Sequence, residues 1–159
     1  MTVINPFVLV FDETRKRLRD KYEVVAPDRY IPIAPVYDTN WYAQTFTAAT
    51  SYTAYSIELN LTKLVTDESF NNNLNNHFHV DVMAVDTNGL PTTEMLAYGL
   101  KTIASIHPQW ASMGSNPALH WVSFILNTSV SLIEGESYAI VCHCDSGNPY
   151  NYIGWRYTV

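Results

Sequence analysis

The sequence predicts an all-β protein: one antiparallel β-sandwich over residues 41–159, preceded over residues 1–40 by an extended arm that carries a short helix. Three observations predict it. Apolar and polar residues alternate with period two in successive stretches, as in strands with one buried face. Those stretches are separated by turn-forming clusters of Asn, Gly and Pro. The first forty residues have a different texture, with crowded prolines and six of the nine Lys and Arg. A length of 159 residues fits one domain plus an appendage and suffices to bury a core.

The arm opens on an apolar run, Phe7-Val8-Leu9-Val10-Phe11. Residues Asp12 to Tyr22 then read as a short helix, with Asp12 as N-cap and basic residues toward the C-terminal end. Its apolar positions are few, mainly Phe11, Leu18 and Tyr22, so it cannot stand alone. From Ala26 to Tyr37, Pro27, Pro32 and Pro35 impose extended backbone and forbid a central strand. Tyr30, Ile31, Ile33, Val36 and Tyr37 are too apolar for a solvated linker. The segment therefore lies on a surface, either its own or a neighbour's.

From Trp41 the β pattern takes over. In Tyr55–Thr62 one face is Tyr55, Ile57, Leu59 and Leu61, and the other is polar. In His77–Val85 the inward residues are Phe78, Val80, Val82 and Ala84. Trp121–Leu126 and Ser137–Cys142 are more continuously apolar, as for strands covered on both faces. Tyr152–Val159 closes the chain. The connections carry turn chemistry: Asn88-Gly89 tolerates positive φ ahead of Pro91, which stops pairing, and Glu134-Gly135-Glu136 is a tight reversal. Asp145–Pro149 is a loop, and so is the polar tract Asn71–Asn76.

Composition narrows the function. A net charge of −6 argues against nucleic acid, whose phosphates need a basic field. The charge is uneven: residues 1–30 hold six bases and five acids, the remainder three bases and ten acids. A locally basic arm thus joins an acidic body, and the run Arg15–Lys21 suits docking on an acidic protein surface. Met1–Val10 lacks the basic start and small-residue cleavage site of a secretory signal, and no stretch approaches the ~20 apolar residues of a spanning helix. Cys142 and Cys144, two apart in a strand, are poorly placed to bridge. The expectation is a protein made in a cytoplasm, with reduced thiols and no membrane partner.

The strand order has a counterpart. Ala43-Gln44-Thr45-Phe46 is followed by Tyr52–Leu59, by the turn Asp86–Pro91, by Trp121–Phe124 and by Val130–Val141. This order resembles a jelly-roll-type β-sandwich module of bacterial surface proteins and phage particles, of the choice-of-anchor kind and similar in shape to carbohydrate-binding modules. The resemblance covers about residues 41–159 and leaves the arm outside it. It implies a jelly-roll-like sandwich that binds or builds, and it does not select between those roles.

Candidate chemistry is sparse. His77, His79 and Asp81 alternate on one strand and share a face, where two imidazoles and a carboxylate can hold a transition metal; His143 could join from another strand. The sequence marks no third ligand, so the polar face of a half-buried strand is the preferred reading and no cofactor is expected. In Cys142-His143-Cys144 the imidazole points away from the thiols, which favours small core residues over a metal or redox pair. No nucleophile elbow, phosphate loop or zinc-protease motif is present, so no enzyme is expected. Among Trp41, Tyr42, Tyr52, Trp110, Tyr150, Tyr152, Trp155 and Tyr157, several must be core. Trp110 and Tyr150, near Pro and Gly in loops, are the candidates for stacking on a sugar.

These observations lead to two expectations. The first is a phage structural protein, a head-decoration, collar or tail-fibre subunit assembled into the virion in the host cytoplasm. Its contacts to other virion proteins and to copies of itself would run through Phe7, Phe11, Arg15, Arg17, Tyr30, Ile31 and Ile33. The second is a carbohydrate-binding module that recognises glycans, such as those of a host surface, through exposed aromatics.

Overall fold

The computed structural model describes residues 33–106 and 121–156 in full, and 2–3, 5–6, 8–12, 18–22 and 157–158 as strand backbone. The strands in chain order are β1 (Thr2–Val3), β2 (Asn5–Pro6), β3 (Val8–Asp12), β4 (Leu18–Tyr22), β5 (Ile33–Val36) and β6 (Tyr42–Thr47). They continue as β7 (Tyr52–Leu64), β8 (His77–Val85), β9 (Pro91–Thr102), β10 (Trp121–Leu132), β11 (Ser137–Cys144) and β12 (Tyr152–Thr158). A five-residue helix, α1 (Glu68–Asn72), and a 3₁₀ turn at Ile103–Ser105 are the helical elements among the described residues.

The predicted all-β sandwich is the fold. A front sheet has the order β1-β6-β11-β8-β9, and a back sheet is built on β2-β12-β7-β3-β4 with β10 paired to β7 and β5 to β12. The pairings are antiparallel except that β1 runs parallel to β6. Past β6 the chain changes sheet at each step except the β8–β9 hairpin. Each sheet therefore has one face toward the other, which is why period-two patterning recurs.

Between the sheets lie Phe46, Ile57, Leu59, Leu61, Phe78, Val80, Phe124, Ile140 and Trp155. Each large side chain fully buried there contributes about 1.5–3 kcal/mol of transfer free energy. Phe78 and Phe124 meet across the sheets at 5.7 Å between ring centroids. The continuous apolar run of β11 reflects its central place between β6 and β8: Tyr138 to Cys142 are all buried, with Ala139 and Val141 facing outward beside Ala43, Met83 and Val85.

Several expectations are corrected. The helix expected from Asp12 to Tyr22 is absent at its described ends: Asp12 closes β3, Leu18–Tyr22 forms β4, and both belong to the back sheet. With few apolar positions the segment gains little as a helix, whereas sheet pairing satisfies main-chain groups of Asp12 against β7 and of Leu18–Tyr22 against β3. In β7, Tyr55 is skipped in the pairing with both β10 and β3, a bulge that leaves it half-buried and buries Tyr52 and Ala54 instead.

β10 is covered on one face only, since Ile125 is 74% exposed beside the fully buried Phe124. Pro91 does not stop pairing; it opens β9 opposite Val85, a position that needs no N–H from the ladder. The Asn71–Asn76 tract is not simply a loop, since its first two residues finish α1, capped by Asp67 accepting from the Ser69 amide.

The proline rule holds at the arm's end. β5 contains Pro35 and is an edge strand paired to β12 alone. Ala34 and Val36 nevertheless belong to the main core, so this part of the arm is built into the sandwich.

Candidate functional site

The outer face of the front sheet brings together three histidines and two carboxylates. On β8, Phe78 and Val80 point into the core, so His77, His79 and Asp81 point outward as the alternation requires. On β11, Cys142 and Cys144 are buried and His143 faces out, directly opposite His79 in the register. The next residue, Asp145, is held against β8 by main-chain bonding: its N–H donates to the His77 carbonyl at 3.1 Å, and its carboxylate accepts from the His77 N–H at 2.9 Å.

Asp145 therefore stands between two imidazoles. His77 Nδ1 lies 3.1 Å from Oδ2 and His79 Nε2 lies 2.8 Å from Oδ1. Partial burial pushes the Asp145 carboxyl up, but the His77 and His79 hydrogen bonds outweigh it and hold the group below its ordinary range. The three side chains offer donor atoms that all lie within 4.8 Å of one another.

Beside them His143 Nε2 is 3.0 Å from Asp81 Oδ2, a buried carboxylate. The His143 ring stacks on His79 at 4.4 Å and 9°, and on Trp41 at 4.5 Å. Trp41 is itself fixed by its Nε1–H donating to the Asp38 carbonyl at 2.7 Å. Of the expected trio, His77 and His79 come together, whereas Asp81 turns to His143. The acid that joins them, Asp145, was missed because it lies 66 residues from His79.

The thiols take no part. Burial drives the Cys142 thiol well above its ordinary range and Cys144 likewise, and Cys144 donates to the Val36 carbonyl. Both are free cysteines, as expected.

A second feature opens at the end of the sandwich. A cleft of about 220 Å³ is lined by Asp67, Ser69, Asn73, Ser146, Asn148 and Asn151, among others. Asn151 Oδ1 accepts from the Thr66 and Asp67 amides at 2.7 and 2.8 Å, tying the cleft's two walls together. Tyr150 lies between two lining residues and is 70% exposed. Trp110 lies outside the described residues. Of the other aromatics, Trp155 and Tyr52 are core, Tyr42 and Tyr152 are half-buried, and Trp41 is committed to the histidine stack.

Of the expected arm contacts, Phe7, Arg15, Arg17, Tyr30 and Ile31 lie outside the described residues. Phe11 is described as backbone, in register with Ser56. Ile33 is half-buried against Gly154, its Cδ1 only 3.3 Å from where a Cβ would stand there. No helix among the described residues is long and apolar enough to cross a membrane. No protein-family model and no curated protein matches the chain.

Proposed function

We propose that the chain is a non-enzymatic structural subunit of a virus particle, a phage head-decoration, collar or tail-fibre component that its N-terminal segment anchors to copies of itself and to other virion proteins. The observation that carries this reading is how the segment meets the sandwich. β1 adds to the open side of β6, β2 to β12 and β3 to β7, all by main-chain pairing. Strand addition recognises an edge rather than particular side chains, so the matching edge of a neighbouring copy accepts the same segment equally well. The bases of residues 15–21 and the acidic body supply complementary charge for the exchange. Retained thiols and the jelly-roll resemblance fit assembly inside a host cell.

The test is solution mass by light scattering, on the full chain and on a chain starting at Ile33, which keeps β5 and its core residues. An oligomer that falls to a monomer on truncation supports the reading, and two equal monomers overturn it. Full-length Val10→Pro, which removes a main-chain donor from β3, repeats the test if the short chain does not fold.

The cleft beside Tyr150 favours a second reading, recognition of a glycan. Its volume is below the ~300–1,000 Å³ of drug-sized pockets, a size for one sugar ring held by Asn and Asp side chains with Tyr150 as the stacking face. Saturable binding on a glycan array, lost in Tyr150→Ala, is the expected result. Binding unchanged by that substitution, or none across the array, removes the reading.

A further inference from the structure

We propose that His77 Nδ1, His79 Nε2 and the Asp145 carboxylate bind a divalent transition-metal ion of the zinc class on the outer face of the front sheet. The donor set is the first argument. Imidazole nitrogen with carboxylate oxygen suits zinc, cobalt, nickel and copper, whereas magnesium and calcium take oxygen shells.

Geometry is the second. An ion with bonds of about 2.0–2.1 Å needs donors about 3.3 Å apart. The two imidazole–carboxylate distances are 3.1 and 2.8 Å, and the whole set lies within 4.8 Å. Small side-chain rotations close that spread, and metal binding displaces the protons now shared in the two hydrogen bonds.

Preorganisation is the third argument. Asp145 is clamped by its N–H donating to the His77 carbonyl and its carboxylate accepting the His77 N–H. The His79 ring is pressed against His143, which is tethered to Asp81. That pair serves as the orienting layer which metal sites require around their ligands. The three ligands are only partly buried, at 27%, 20% and 39% side-chain exposure, so water or a fourth ligand has access.

The test uses the full chain after chelation and dialysis, titrated with Co²⁺ for its visible d–d spectrum and with Zn²⁺ by calorimetry. One equivalent is expected to bind. Affinity should fall at least tenfold in His79→Gln and Asp145→Asn and stay unchanged when His107 and His120 are both replaced by Gln. His143→Gln, a positioning change, should weaken binding about 10–100-fold without changing the stoichiometry. In the unaltered chain, substoichiometric Cu²⁺ should broaden the imidazole resonances of His77 and His79 before those of His107 and His120, which keeps the test independent of whether variants fold. No binding, affinity indifferent to His79→Gln and Asp145→Asn, or broadening that begins elsewhere overturns the proposal.

Discussion

Phe124 and Ile125 are neighbours on β10 and similar in hydrophobicity, yet the fold gives them opposite roles. Phe124 is fully buried against Phe78, and Ile125 is 74% exposed. Truncating a buried Phe to Ala costs about 3–5 kcal/mol, the lost transfer energy plus the cavity left behind. A domain's whole stability is about 5–15 kcal/mol, so Phe124→Ala removes about a fifth of it or more. For a chain of 159 residues each kcal/mol shifts the midpoint about 2–4 °C, hence a fall of about 6–20 °C. Ile125→Ala should stay within about 0.5 kcal/mol of the parent. Urea unfolding followed by Trp fluorescence measures both. In a double-mutant cycle, Phe78→Ala and Phe124→Ala should couple by about 0.5–1.5 kcal/mol, because their rings touch at 43°. If Ile125→Ala costs as much as Phe124→Ala, the face assignment of β10, and with it the closing of the two sheets, is wrong.

Three further outcomes follow from local geometry. Gly147 has φ +127°, and an added Cβ would stand 2.6 Å from the Asn151 carbonyl oxygen, so Gly147→Ala should cost at least about 2 kcal/mol in urea melts. Gly135→Ala, at φ +81° with open space around it, should cost less; the reverse order would refute the loop geometry. Burial lowers the Lys63 amine below its ordinary 10.5, with Glu68 pulling it back. The unfolded chain then holds that proton to higher pH than the folded one, so stability rises as pH passes the folded pKa and levels off above about 10.5. The stability of the parent minus that of Lys63→Met should therefore climb with alkaline pH, and a flat difference would refute the assignment. Cys142 and Cys144 should resist a thiol reagent in the native protein and both react in denaturant, whereas native labelling would place them outside the core.

The sequence was legible where one rule governs a residue. Period-two alternation placed His77, His79 and Asp81 on one face and Phe78, Val80 and Val82 on the other. Proline chemistry confined Pro35 to an edge. Legibility ended where tertiary pairing overrides local signals. Tyr55 looks like a core residue by alternation, but the bulge shared with β10 and β3 moves it out of register. Asp12 looks like a helix cap, yet the chain there finds partners along β7. Asp145 reads as a loop acid because nothing local connects it to β8; only the pairing of β11 with β8 brings it between His77 and His79.

The Asn-rich tract shows how a polar segment becomes structural. Lys63 projects from β7 on the core side and is 2% exposed, a costly place for an ammonium group. Its Nζ donates to Asn71 Oδ1 at 2.7 Å and to the Ile103 carbonyl at 2.8 Å. Asn76, equally buried, donates to the Phe70 carbonyl and accepts the Ile103 amide on its own carbonyl. The short helix α1 and the 3₁₀ turn thus close one end of the sandwich around a single buried amine with neutral amide partners. Because this closure and the aromatic core stabilise the fold without using any side chain of the histidine row, the outer face of the front sheet is free to carry chemistry that the fold itself does not need.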